Sequence, residues 1–221
     1  MGLAISFRSI LAFIAAVPVV AYQDQQLGVA ASKQELSAYV ATPAHQAETA
    51  KAAQMSGRWQ ILECTSSQFL SPSEIAYVSN PMLLKPDGTP LRGIWMEHIV
   101  ASGCGQDILL NVAWIAGNGR LLAGSMAPGA TRADPQLQTD AGKNFMLIVM
   151  IKAPPCAGKH TFIYDTVVDP AVSGAAPGSW SERWTISSCD KYVTVPIAFR
   201  PDGKGGTYFA VKSDGAVAAR P

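Results

Sequence analysis

Two glutamates stand in matching company, in Trp95-Met96-Glu97 and Trp180-Ser181-Glu182. A pair of carboxylates facing one substrate is the equipment of general acid–base hydrolysis, provided their surroundings push the two pKa values apart. Matching surroundings work against that division of roles. On an extended chain Trp95, Glu97, Ile99 and Ala101 share one face, as do Trp180, Glu182, Trp184 and Ile186. Each glutamate therefore interrupts an apolar face, where an unpartnered carboxylate is strongly unfavourable. The expectation is a carboxylate tied down inside the protein, by an arginine such as Arg58 or Arg200 or by backbone N–H groups. A ligand-facing pair is the alternative, in which Trp95, Glu97, Trp180, Glu182 and Trp184 form the binding surface.

Other reactive residues are sparse. His45 falls in a helical stretch, His98 on the strand face opposite Glu97, and His160 in a turn after Cys156. No two have metal-ligand spacing, so solvated or helix-capping histidines are expected, with no metal and no cofactor. No Gly-x-Ser-x-Gly occurs, and no catalytic residue is assigned. Gly203-Lys204-Gly205-Gly206 lacks a following helix and reads as a hairpin loop rather than a phosphate cradle. The tryptophans at 59, 95, 114, 180 and 184 read mainly as core. The opposite strand faces, with Met96, His98 and Val100 in one segment and Ser181, Arg183 and Thr185 in the other, could dock a partner.

The elements that must carry these residues follow from periodicity and caps. Ser32-Lys33-Gln34-Glu35 is a capping box, and Thr42-Pro43 can end that helix and cap a second piece running to about Met55. Asp134-Pro135 caps another helix, with Leu137, Ala141, Phe145, Ile148 and Val149 at helical spacing. The run 145–151 is apolar on all sides, which leaves a strand from Leu147 open. Alternation over 108–114 and 193–199 predicts half-buried antiparallel strands, preceded by partner strands over 95–101 and 180–186. Gly117-Asn118-Gly119 and Pro201-Asp202-Gly203 turn the chain into further strands over 121–125 and 207–211.

Residues 93–114 and 178–199 also align without a gap. Gly93 meets Gly178, Trp95 meets Trp180, Glu97 meets Glu182 and Cys104 meets Cys189, each 85 positions on. The reading is an internal duplication, and with it an α+β fold made as a tandem repeat of a helix followed by a four-stranded antiparallel meander. The boundaries are 22–126 for the first repeat, 127–133 for a linker and 134–221 for the second. Cys64 and Cys156 open the two halves. Pairs Cys64–Cys104 and Cys156–Cys189 would staple each half, and pairing across the halves stays open.

Residues 1–21 hold a single charge, Arg8, then an apolar stretch from Ile10 to Val20 and a small-x-Ala end at Ala21. That stretch is shorter than the roughly 20 residues a bilayer requires and has the parts of a secretory signal peptide. Its removal leaves no further membrane span, and an even cysteine set suits an oxidising compartment, periplasmic or secreted. The 221-residue chain is 48% apolar and carries a formal charge of +1, which excludes disorder and gives no electrostatic case for nucleic acid.

The segments CGQDILLNV, PGATRADPQLQTDA and WSERWTISSCDKYVTVPIAFRPDGKGGTYF resemble uncharacterised exported proteins of Gram-negative bacteria. Those proteins share a Trp-x-Glu-x-Trp strand, a following Cys and a Pro-Asp-x-x-Gly-Gly-Thr turn. The resemblance covers about residues 93–141 and 156–210, and departs from the pattern at Ile99 and Asp190. In layout alone the chain is similar to the secreted β-lactamase inhibitory proteins. The expected function is an exported, disulfide-stabilised, non-catalytic protein that binds a protein, peptide or cell-envelope component. The alternatives are an extracytoplasmic hydrolase using Glu97 and Glu182, and a purely structural envelope protein.

Overall fold

The computed structural model describes residues 29–60, 69–103, 105–152, 161–170, 176–188, 191–212 and 216–219. Residues 1–21, expected as a signal peptide, His160 and the four cysteines Cys64, Cys104, Cys156 and Cys189 lie outside these. Among the described residues four helices accompany two antiparallel sheets: α1 (Lys33–Val40), α2 (Pro43–Gln54), α3 (Gly57–Gln60) and α4 (Pro135–Lys152). The fold is mixed α+β. Among the described residues no helix is long and apolar enough to cross a membrane.

Local chemistry accounts for the helix starts. The Glu35 amide donates to Ser32 Oγ at 3.3 Å and the Ser32 amide to Glu35 Oε2 at 2.7 Å, the two halves of a capping box. Thr42 caps α2, where Pro43 enters at a position needing no amide donor. Asp134 Oδ1 accepts the Leu137 amide at 2.8 Å and opens α4. The apolar run that could have turned to strand at Leu147 stays helical through Lys152.

The first sheet contains β1 (Val29–Ala30), β2 (Phe69–Leu70), β3 (Glu74–Val78), β4 (Leu83–Leu84), β5 (Pro90–Gly103), β6 (Gln106–Gly117) and β7 (Arg120–Ser125). β5 is long enough for β2, β3 and β4 to share one of its edges while β6 takes the other. The second sheet is β8 (Phe162–Val168), β9 (Trp180–Ser188), β10 (Lys191–Pro201) and β11 (Thr207–Val211) in sequential order, with β12 (Ala216–Ala219) on β10. Asn118 at φ 51° and Gly119 at φ 68° form the tight turn between β6 and β7.

Each sheet has its own core. Leu36, Val40 and Ala53 from α1 and α2 pack on Trp95, Ile99, Leu110, Val112 and Trp114. Ala141, Phe145 and Val149 of α4 pack on Trp184, Ile186, Val195, Ile197 and Phe199. The odd residues from Val193 to Phe199 are buried, as the period-two alternation requires.

Between the cores runs a buried strap. Residues 127–133, expected as a linker, carry the buried positions Ala127, Gly129, Thr131 and Ala133. Asn111 Nδ2 donates to the carbonyls of Ala127 (2.6 Å) and Gly129 (3.0 Å), fixing the strap to β6. The Ala130 amide donates to Thr166 O and the Thr166 hydroxyl to Pro128 O, both at 2.8 Å, fixing it to β8. A solvated linker would have left these backbone groups to water; here each is placed against a partner. Gln138 also covers Met96, its Nε2 lying 3.2 Å from the sulfur, so the strand face expected to dock a partner is closed at that residue.

Asp165, next to the strap contact, carries a testable charge effect. Burial raises its pKa, and this outweighs the lowering by Arg58 and the Thr166 amide. A carboxyl raised above its unfolded value of about 3.9 destabilises the fold as pH rises past that value, once it ionises. Asp165→Asn should therefore raise the urea midpoint at pH 7 and leave it unchanged near pH 3. An unchanged midpoint at both pH values would remove this account.

Candidate functional site

Glu97 and Glu182 are both fully buried. On β5, Glu97 Oε1 accepts the Trp95 indole N–H at 2.6 Å and lies 2.6 Å from His45 Nε2 on α2. Its Oε2 accepts the Ser73 hydroxyl at 2.5 Å and sits 3.2 Å from the Thr49 hydroxyl. On β9, Glu182 Oε1 accepts the Trp180 indole N–H and the Arg132 amide, each at 2.8 Å. Its Oε2 accepts the Trp184 indole N–H and the Thr131 hydroxyl, again at 2.8 Å.

These two clusters correct several expectations. Neither Arg58 nor Arg200 reaches Glu97 or Glu182: Arg58 lies 3.4 Å from the Tyr164 ring centroid, and Arg200 lines a cleft described below. A cation is not required where four donors converge on one carboxyl group. The backbone N–H alternative holds in part, through Arg132. His45 is not solvated and does not act as a cap. At 3% exposure it is wedged among Tyr39, Trp95 and Trp114, because its position on α2 turns it inward with Thr49 and Ala53 at intervals of one turn. That polar pair at i and i+4 on an otherwise alanine-rich face is the signal from which it could have been found.

Trp95, Trp184, Glu97 and Glu182 are thus brought together in pairs but kept from any shared surface. Trp95 stacks on Trp114 across β5 and β6 at 5.9 Å, and Trp180 on Phe199 across β9 and β10 at 4.7 Å. Among the described residues no group of three His, Cys, Asp or Glu could hold a metal ion. A small cleft of about 340 Å³ lies beside His45, Glu48 and Trp114.

The larger concavity is at the end of the second sheet. It has a volume of about 630 Å³, within the range of small-ligand sites. Trp180, Phe199, Tyr208 and Phe209 contribute its aromatic lining, and Arg132, Arg200 and Lys212 its cations. Asp169, also in the lining, is already taken by Arg183 Nε at 2.7 Å. No family model, curated protein or solved structure matches this chain.

With geometry as the only guide, the two concentrations of polar chemistry part company. The glutamate clusters have every carboxyl oxygen engaged from within the chain. The cleft has cations and aromatic surface with unfilled capacity. Of its residues Trp180 and, on the opposite strand face, Ser181 were singled out from the sequence as binding candidates. Arg200 and Tyr208 are paired across the β10–β11 hairpin that the turn at Pro201-Asp202-Gly203 predicts, whereas the arrival of Arg132 from residues 127–133 has no sign in the sequence.

Proposed function

We propose that the chain is an exported, disulfide-stabilised, non-catalytic binding protein that takes a protein, peptide or cell-envelope component in the cleft at the end of the second sheet. In this reading the fold arose by tandem duplication of a helix and a four-stranded meander, with Trp-x-Glu retained in both copies as scaffold. The matching Trp-to-Glu hydrogen bonds at Glu97 and Glu182 support that history. One observation carries the non-catalytic reading: both repeated glutamates are fully buried and bonded at each oxygen by protein donors. Hydrolysis by the pair would need both carboxylates to face one substrate, whereas they sit on separate sheets.

Photo-crosslinking in the exporting cell tests the binding surface. Tyr208 is 69% exposed at the cleft, and Phe69, 62% exposed on the first sheet, is the control. A benzoylphenylalanine at 208 should capture a discrete adduct that is absent at 69. Equal labelling at both positions, or none at 208, would overturn the cleft as the binding surface. The second result would favour the purely structural envelope protein.

A further inference from the structure

One sheet edge is closed and another is open. β8, at the edge of the second sheet, is bridged by the strap at Ala130 and Val167. β7, at the edge of the first, has no strand beyond it among the described residues. Asn118 and Gly119 both take positive φ, so the turn before β7 is the two-residue type in which Gly117 and Arg120 exchange their main-chain hydrogen bonds. Alternation then directs Leu122 and Gly124 toward β6 as well, and the Met126 amide continues that series on Asn111 O at 2.8 Å. Leu121, Ala123 and Ser125 are left with N–H and C=O groups directed away from the sheet, and no backbone group among the described residues takes them up. β7 also lacks the proline, lysine or bulge with which an edge is usually blunted.

The same three residues lie on the sheet face that carries Trp114, because Ala123 is the cross-strand partner of Trp114. On that face, between β7 and α2, is the cleft of about 340 Å³, with Tyr39, His45, Trp114, Leu121 and Ala123 in its lining. A strand added antiparallel to β7, as every pair in this sheet runs, would set one residue opposite Ala123. The N–H and C=O of that residue would meet those of Ala123, and its side chain would point to the cleft side. We propose that β7 is a docking edge for an extended peptide segment of a partner, bound by strand addition with one apolar or aromatic side chain in the cleft between β7 and α2. A second copy of the chain is the weaker occupant, since β7 offers 6 residues a side against the roughly 20–30 of a stable protein interface. This surface is separate from the cleft of the second sheet and does not depend on it.

Fluorescence anisotropy with an N-terminally labelled peptide, Thr-Lys-Phe-Lys-Thr amide, tests the edge. The peptide should bind saturably. Methylating the Phe nitrogen removes the N–H that faces β7 and should weaken binding about tenfold. Methylating the nitrogen of the following Lys, which faces away, should change it by less than about twofold. Alanine in place of the Phe leaves the cleft unfilled and should weaken binding about tenfold or more. Ala123→Pro removes the edge donor without breaking a hydrogen bond to β6, so it should abolish binding with the melting temperature little changed. Ala123→Leu keeps the backbone and occupies the cleft; it should weaken the peptide as well, and it serves if the proline variant does not fold. No binding of the parent peptide, equal losses on the two methylations, or folded Ala123 variants that bind like the parent would overturn the proposal. Dimerisation in sedimentation velocity that Ala123→Pro abolishes would overturn it too, by giving the edge to a second copy.

Discussion

Glu182→Gln should lower the melting temperature by on the order of 10 °C, whereas Glu97→Gln should lower it by only about a third as much. The substitution keeps the shape and replaces one accepting oxygen with an NH2 group, so the outcome depends on which neighbours can reverse their role. Around Glu182 the Trp180 and Trp184 indoles and the Arg132 amide can only donate. Wherever the NH2 is placed it meets at least one of them, leaving buried N–H groups opposed and without an acceptor. That costs about 3 kcal/mol. Around Glu97, the Ser73 and Thr49 hydroxyls both lie on Oε2 and can rotate to accept from an amide placed there. Oε1 then continues to face Trp95 and His45, and the loss is about 1 kcal/mol. Thermal melts of the two single variants check this difference directly. Equal shifts would show that donor type is not what governs these sites. A variant that melts like the parent but loses a turnover would return catalysis to the glutamates.

Gly129→Ala should be at least as damaging, about 4 kcal/mol, through backbone rather than side-chain chemistry. Gly129 has φ 97°, in the region that side-chain-bearing residues rarely adopt. A Cβ there would also collide with the backbone oxygen and nitrogen of Thr166 and with Asp165 Oδ1. Since the obstruction is β8 backbone, relief requires moving the strap, which would break the Ala130–Thr166 hydrogen bond and the one from the Gly129 amide to Leu109 O. The expected signature is a lower denaturation midpoint together with new proteolytic cleavage in 126–133. A variant whose midpoint is unchanged and whose strap resists protease would show that β8 yields easily, against the rigidity inferred here.

Much of the framework was legible because it depends on neighbours in sequence. The Ser32 capping box, the break at Pro43 and the Asp134 cap are chemistry within a few residues, and each helix begins where that chemistry places it. The alternation over 193–199 likewise identified the buried face of β10. The glutamates could be seen to need partners, but the partners could not be named. His45 and Thr49 are 52 and 48 positions from Glu97, Thr131 is 51 from Glu182, and Ser73 reaches Glu97 from the connection just before β3. The strap failed to show for a related reason. Ala127–Ala133 is rich in small residues and contains Pro and Gly, a composition that suits an exposed connection as well as a backbone threaded between two packed sheets. Only the fold decides between these, through the donors and acceptors it places alongside.

The position of Thr131 and Arg132 has a consequence for how the halves depend on one another. These two residues supply half the donors on Glu182, and they continue from a segment that Leu109 and Asn111 of the first sheet hold in place. The second core thus becomes electrically complete only when the first is already built. A chain that had doubled itself would begin as two modules able to part. Here a single carboxylate, completed from the strap between the two sheets, ties them into one unit.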